Sequence, residues 1–448
     1  VKTIRDPVHG DVRLTQEETE ILDSPEMQRL RGIKQLGSSF LVYPGAVHTR
    51  FEHCLGTLWM ARRMCESLKT EDDSPLTDRE ERLIAAAALL HDVTHIPFGH
   101  TLEDERRILP RHDANMDRLL HFVDKGELGR RLRRFGLDRD VIALLSPSDN
   151  GEGKCPSLRP CARACVREIV SSTICADLLD YLARDSYFCG LKLRYDPRLM
   201  QYFRIRDGRL VLDLHKGGML RRDAVTEVCN LLRMRYVLSE RVYYHHAKIA
   251  AGVMISKAVE EAFRRGLKPR ELYDLRDDSL LRHLSDRFPR VKPVRNLLEM
   301  YAARRLFKRC FVLMPDCGEP LQSELVSRYH FDDGSRRLIA EKEIARLLGR
   351  GVPSWAVAIY CPPMGMRLKE ADVPVLTADG GLRPLSEFDN DEIELLKNRH
   401  RRLWKFYVFI SPDFIPDSEA AGRAAAEVIG CRNQLHVEHH GADAPGAA

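Results

Sequence analysis

Apolar side chains return every three to four positions from Gln16 to about Arg265, which predicts a succession of amphipathic helices. Ahead of them, Ile4 to Leu14 carries DPVHG and predicts a turn-rich entry with one short strand. Three helical stretches stand out. HTRFEHCLGTLWMARRMCESL opens with Thr49 and Glu52 in capping-box spacing and keeps an apolar stripe through Leu55, Met60 and Met64. LTDREERLIAAAALLHDV repeats the box with Thr77 and Glu80, then turns almost wholly apolar, as a helix buried on all sides does. REIVSSTICADLLDYLARDSYF reads as one further helix, with acids at Asp177, Asp180 and Asp185. A Pro/Gly/Ser-rich loop, SPSDNGEGKCPSLRPC, precedes it. RIRDGRLVLDL predicts a strand pair turning at Asp207–Gly208, and helical patterns resume at Arg222. Strand-like runs come only late, in RCFVLM, SWAVAIYC, VPVL and KFYVFI. The expectation is a mainly α fold: a helical lobe over residues 1–265, a smaller α+β lobe over 266–435, and a disordered tail over 436–448.

With 448 residues the chain exceeds what one hydrophobic core holds, so more than one structural unit is expected. Its 44% hydrophobic and 31% charged content is ordinary for a globular protein and excludes wholesale disorder. A formal charge of +5 is too mild to indicate nucleic acid or a membrane surface as partner. Arg130, Arg131, Arg133 and Arg134, and the NRHRRLWK stretch, read as solvated faces. No apolar run approaches the ~18–20 residues that cross a bilayer, and no signal peptide opens the sequence. A cytoplasmic protein with reduced thiols is expected. Cys155, Cys161, Cys165 and Cys175 lack any CxxC pair, so a structural zinc site is not.

Candidate chemistry gathers around a few polar residues. Two His-Asp dipeptides occur, His91–Asp92 and His112–Asp113. The second lies in a polar stretch, whereas the first ends the apolar AAAALLHDV helix. An ionisable pair there is costly unless compensated, and a divalent cation compensates it. A core histidine beside a capping aspartate explains the dipeptide taken alone. Its company favours a metal. His53 lies three residues after Arg50, so one helix face presents a ligand and a phosphate-sized cation. Asp177, Tyr181 and Asp185 recur at i, i+4 and i+8, and Asp180 and Arg184 are spaced to pair. Two imidazoles and two carboxylates suit Mn, Fe, Zn or Mg and leave positions for water and a phosphate oxygen. THIPFGHTLED follows at once, where Pro97 and Gly99 break the helix and set His95, His100 and Glu103 beside it.

The order H…HD…D, with VHTRFEHCLGT, LLHDVTHIPFGH and ADLLDYLARD, resembles the HD-domain deoxynucleoside triphosphate triphosphohydrolases. DPVHGDVRL…SPEMQRLRGIKQLG…YPGAVHTRFEH extends the likeness over residues 1–265. It is strongest toward the SAM- and HD-domain-containing branch, for the HD core only, with no SAM domain expected here. The resemblance implies an HD-domain helical core with His53, His91, Asp92 and Asp177 as metal ligands. It implies Arg50 on the phosphates and His95 beside the α-phosphate. His100 becomes the proton donor to the leaving 5′-oxygen, supported by Glu103 and His112. Gln35, Leu36, Asp185 and Tyr243 would surround the deoxyribose, Leu36 and Tyr243 excluding a 2′-hydroxyl, and Arg235 would touch the triphosphate. Lys2, Asp23, Gln28 and Arg31 would form an effector pocket for GTP or dGTP that drives assembly into a homo-oligomer, dimer or tetramer. The sequence departs from the family at Leu178, where a lysine that touches the phosphates follows the last ligand, and in a short His100–His112 segment. Both departures leave open a monophosphate, cyclic or modified nucleotide as substrate. A nucleotide-sensing module with a degenerate site is the remaining alternative.

Overall fold

The computed structural model describes residues 2–71, 76–147, 163–331, 334–349, 351–414 and 418–435. The chain opens with a hairpin, β1 (Lys2–Asp6) and β2 (Gly10–Leu14), paired from Lys2 opposite Leu14 to Asp6 opposite Gly10. Two strands therefore stand where the sequence predicts one. The mostly exposed β1 offers no apolar alternation to read. Helices α1 (Gln16–Leu22) and α2 (Pro25–Arg29) follow, then α3 (Arg50–Glu71) and α4 (Asp78–Leu90). Both predicted capping boxes are present. The Thr49 amide donates to Glu52 Oε2 at 2.6 Å and the Thr77 amide to Glu80 Oε2 at 2.9 Å, giving partners to donors that a helix start leaves free. Every residue of α4 from Leu83 to Leu90 is buried, as its apolar composition requires.

Three short helices, α5 (Met116–Val123), α6 (Gly126–Phe135) and α7 (Asp138–Leu145), pack on one another, and α7 lies against α4. The third predicted helix is two, α8 (Ala164–Val170) and α9 (Ala176–Phe188), separated by Ser171–Cys175. Ser171, Ser172 and Thr173 favour local side-chain to backbone bonding over helix, while Ile174 and Cys175 keep the apolar period running and disguise the break. The interruption puts Asp177 in the first turn of α9, where the helix dipole favours a carboxylate.

The predicted strand pair is β3 (Phe203–Arg206) and β4 (Arg209–Leu212), turning through Asp207 and Gly208, both with positive φ. A small ribbon, β5 (His215–Lys216) with β6 (Met219–Leu220), leads into α10 (Arg222–Leu238) and α11 (His246–Phe263), which are joined by a π-helical turn at Ser239–Tyr243. Beyond them come α12 (Asp277–Arg287), α13 (Lys292–Ala302), β7 (Lys308–Leu313), α14 (Glu319–Tyr329), α15 (Ser335–Leu348) and β8 (Val357–Tyr360). The last elements are β9 (Pro374–Leu376), β10 (Leu382–Pro384), α16 (Asp391–Arg401), β11 (Phe406–Ile410) and α17 (Ser418–Ile429). All four late strand-like runs are strands. Strands β7, β11 and β8 make an antiparallel sheet over a second buried cluster that includes Phe311, Tyr329, Trp404 and Phe406.

The fold is thus mainly α, a helical core followed by an α+β region. The two parts interlock: β9 pairs in parallel with β4 to give the sheet order β10-β9-β4-β3. The tail at 436–448, Cys155, Cys161 and most of the loop before α8 lie outside the described residues. Among the described residues no helix is long and apolar enough to cross a membrane.

Candidate metal centre

Helix α3 packs against both α4 and α9, and each of the three brings part of one polar cluster to the seam. His53 comes from the first turn of α3, His91 and Asp92 from the end of α4, and Asp177 from the first turn of α9. His53 Nε2 lies 3.1 Å from His91 Nε2 and 3.0 Å from Asp177 Oδ1. His91 Nε2 lies 3.6 Å from Asp92 Oδ1 and 3.7 Å from Asp177 Oδ1. Ligands around an ion at ~2.1 Å sit roughly 3–3.5 Å apart, so the spacing fits.

The outer ring nitrogens decide what the inner ones do. His53 Nδ1 donates to Asp180 Oδ2 at 2.7 Å, and His91 Nδ1 donates to the Ala88 carbonyl at 2.9 Å. With Nδ1 the donor in each ring, the two Nε2 atoms 3.1 Å apart need a cation or a proton between them. Burial opposes charge on His53, yet hydrogen bonds to Asp177 and Asp180 override it and push its pKa up to about 10. Burial would likewise raise the Asp92 carboxyl, but Arg50 and the surrounding histidines hold it well below the usual range. This pocket selects positive charge. His53, His91 and Asp92 can hold a divalent metal, with Asp177 alongside.

Around the cluster lie most of the other expected residues. Buried Arg50 donates to Asp92 Oδ2 at 2.5 Å, and its Nε has no protein partner. It packs so close to Gly99 that a Cβ there would stand 2.7 Å from Nη2, and Gly99 has φ +55°. His95 is fully buried and stacks on His112 with ring centres 3.6 Å apart. Burial, then Arg50, drives its pKa well down, which keeps it neutral. His112 Nδ1 donates to Glu103 Oε2 at 2.9 Å, and Arg118 donates to Glu103 Oε1 at 2.8 Å. His100 faces outward with 41% of its side chain exposed, 3.5 Å from Glu103.

Among the residues expected around a sugar, Tyr243 donates its hydroxyl to Asp185 Oδ2 at 2.7 Å, while His48 Nε2 donates to Asp185 Oδ1 at 2.8 Å. Gln35 Oε1 is buried with no partner, and Leu36 is half-buried nearby in sequence. Arg235 lies 5.1 Å from the Tyr243 ring centre and 5.5 Å from that of Tyr181, and its Nε donates to Glu370 Oε1 at 3.1 Å. Leu178 is buried in the core. The four expected effector residues form two pairs: Lys2 to Asp23 at 2.8 Å and Arg31 to Gln28 at 2.9 Å, with Arg31 over the Phe51 ring. Three of the four arginines of α6 are engaged with acids, Arg131 with Glu127, Arg133 with Asp124 and Arg134 with Glu20, as on a solvated face.

Several contributors carry no signal of this role in the sequence. Asp180 does pair with Arg184, as its spacing predicts, but also orients His53 and accepts from His9 Nε2 at 2.5 Å. The fold of DPVHG brings that histidine across. Arg29 donates to the carbonyls of Val93 and His95, both at 2.7 Å, clamping the turn after α4. Asp277 accepts from the amides of Phe98 and Lys34, pinning the same turn from the far side. No local motif announces such long-range contacts.

Residues 50–185 match the HD domain, and residues 196–439, more than half of the chain, match the HD associated region. An uncharacterized protein of Methanocaldococcus jannaschii is 28% identical over 93% of this chain and 81% of its own length. The deoxynucleoside triphosphate triphosphohydrolase SAMHD1 homolog of Dictyostelium discoideum is 29% identical over 68% of this chain, and SAMHD1 of Homo sapiens is 28% identical over 69%. The matches cover 59% and 54% of those two proteins, so this chain spans under two thirds of either. Among solved structures, a phosphohydrolase from Bacteroides thetaiotaomicron superposes with a TM-score of 0.66 at 22% identity, over 92% of this chain and 100% of that one. A hypothetical protein from Aquifex aeolicus gives 0.66 at 24% identity, over 94% and 99%; at these identities both likenesses are of fold. With a metal-competent His/Asp cluster at the seam of its HD domain and the associated region behind it, the chain belongs to the HD-domain phosphohydrolase family.

Proposed function

We propose that this chain hydrolyses deoxynucleoside triphosphates to deoxynucleoside and inorganic tripolyphosphate, in a homo-oligomer activated by a guanine nucleotide. The observation that carries the reading is the facing pair of Nε2 atoms on His53 and His91, flanked by Asp92 and Asp177 and bordered by Arg50 and three further histidines. The names of the SAMHD1 relatives supply the substrate class. In this reading the helical lobe of residues 1–265 carries the chemistry and residues 266–435 brace it.

A divalent ion on His53, His91, Asp92 and Asp177 would polarise a phosphate oxygen and lower the pKa of water toward ~7. The remaining work falls to side chains. Arg50, with Nε unpartnered, neutralises charge that builds on the phosphate. His95, neutral and buried, contributes a hydrogen bond there without adding charge. His100, exposed and backed by Glu103, delivers a proton to the departing 5′-oxygen, a contribution of roughly 10²–10⁴-fold. Arg118 and His112 hold Glu103 in place for it. The orphaned Gln35 Oε1 accepts from a sugar hydroxyl. Asp185 and His48 fix Tyr243, which with Leu36 walls off a 2′-hydroxyl. Lys2, Asp23, Gln28 and Arg31 take GTP or dGTP.

One observation favours a second reading, hydrolysis of a monophosphate, cyclic or modified nucleotide. Leu178 supplies no cation and Arg235 is already paired, which leaves few free charges for three phosphates. Incubating purified protein and Mn²⁺ with each deoxynucleotide, with and without GTP, separates the two. Tripolyphosphate among the products supports the first reading. Orthophosphate alone, or turnover of monophosphates only, supports the second.

A further inference from the structure

Arg235 is the cation of α10 that the substrate's phosphates would meet, and it does not wait empty. Its Nε donates to Glu370 at 3.1 Å, and its guanidinium lies over Tyr181 and Tyr243. Glu370 comes from the C-terminal region, in the short turn Lys369–Asp372 just before β9. That turn is built in: Leu368, Ala371 and Val373 are buried around it, and the Val373 carbonyl accepts from the Leu385 amide at 2.9 Å. Glu370 is itself buried, and among the described residues Arg235 is the only cation within ion-pair distance of it. A buried carboxylate with one cationic partner is costly to leave unpaired, so the contact is firmly held.

We infer that Glu370 is a built-in counter-ion that a phosphate must displace from Arg235, and thereby a determinant of how many phosphates the substrate carries. The inference rests on the reading of this pocket as phosphate-binding. Two anions sharing one guanidinium repel each other, and the repulsion grows with the charge of the incoming group. A tripolyphosphate tail therefore suffers most from Glu370 and a monophosphate least. Leu178 sharpens the effect by offering no second cation. The opposite role, a carboxylate that merely orients Arg235 for the phosphate, predicts the reverse outcome on removal.

The test compares Glu370→Gln with the natural protein, both metal-loaded, by calorimetric titration with inorganic tripolyphosphate, pyrophosphate and orthophosphate, alongside KM for dGTP. We expect about tenfold tighter tripolyphosphate binding, equivalent to ~1.4 kcal/mol, a smaller gain for orthophosphate, and loss of the gain when Arg235→Gln is added. Unchanged or weaker tripolyphosphate binding in the Gln variant overturns the inference, and Glu370→Ala takes its place in the same titration should the Gln variant not fold. The two readings fail separately. If the natural protein converts dGTP but Glu370→Gln binds no tighter, Glu370 has no such role. If the variant binds tighter but no form hydrolyses a deoxynucleotide, the counter-ion stands and the proposed activity falls.

Discussion

His53 works through both ring nitrogens, and the division explains which of its neighbours matter. Nε2 faces His91 and Asp177 while Nδ1 is fixed by Asp180, so Asp180 sets the tautomer without approaching the ion itself. Replacing Asp180 by Asn should weaken Mn²⁺ binding about 10–100-fold, the usual cost of losing such a partner, measurable by competition against a chelating dye. Affinity equal to the natural protein's would show that the tautomer is set by other means. Joint replacement of His91 and Asp92 by Ala should remove both bound metal and turnover; full activity in that variant would refute the assignment. His91 and Asp92 stood out because an ionisable pair at the end of a strongly apolar helix is an anomaly, whereas His53 and Asp177 were joined to them mainly by the resemblance to the HD family. Asp180 was only half legible. Its spacing to Arg184 accounted for it fully, and nothing local shows that its two oxygens also serve His53 and His9.

The turn that follows α4 shows how short elements place chemistry. It reverses through Phe98 and Gly99, both at positive φ, and is held by Arg29 and Asp277 from elements distant in sequence. Gly99→Ala should cost more than ~1 kcal/mol and loosen Arg50, since strain at that φ and the nearby guanidinium act together; paired denaturant melts and KM measurements read both effects. Helix starts were legible from their capping boxes, whereas the break between α8 and α9 was not, because Ile174 and Cys175 continue the apolar period across it. Gly56 records the α3–α9 contact in another way: a methyl there would strike Asp180 and Arg184. Behind the turn, Arg106 bonds to Glu260 and Glu341, and Lys257 bonds to Glu341 at 2.7 Å, tying the helical core to α15. Burial opposes the Glu341 charge, but Arg106 and then Lys257 hold its carboxyl at about 2. Because the folded pKa lies below the unfolded ~4.3, this stabilisation is complete above roughly pH 5 and drains as pH falls toward 2. Glu341→Ala should destabilise by about 3–5 kcal/mol at neutral pH, with the gap to the natural protein closing in acid melts. A gap that stays constant down to pH 2 would contradict the assignment.

Lobe arrangement follows from how the sheets are shared. Strand β9 joins β4, and the Arg106 network crosses the same seam, so the C-terminal region braces the turn that carries His100 and Glu103. The mainly α class and the late α+β region were legible from where helical periodicity gives way to strand-like runs. The parallel β4–β9 pairing was not, because non-local register leaves no trace in either segment alone. If Lys2, Asp23, Gln28 and Arg31 take a guanine nucleotide, GTP should raise the solution mass by light scattering, and an unchanged mass would remove the activator from the proposal. The centre itself is best examined by titrating metal-stripped protein with Mn²⁺ in a calorimeter, beside the His91→Ala, Asp92→Ala double variant. Saturable binding of a single tight ion per chain, absent in the variant, is the expected result. Equal binding by both proteins, or none by either, would contradict a metal held between His53, His91, Asp92 and Asp177.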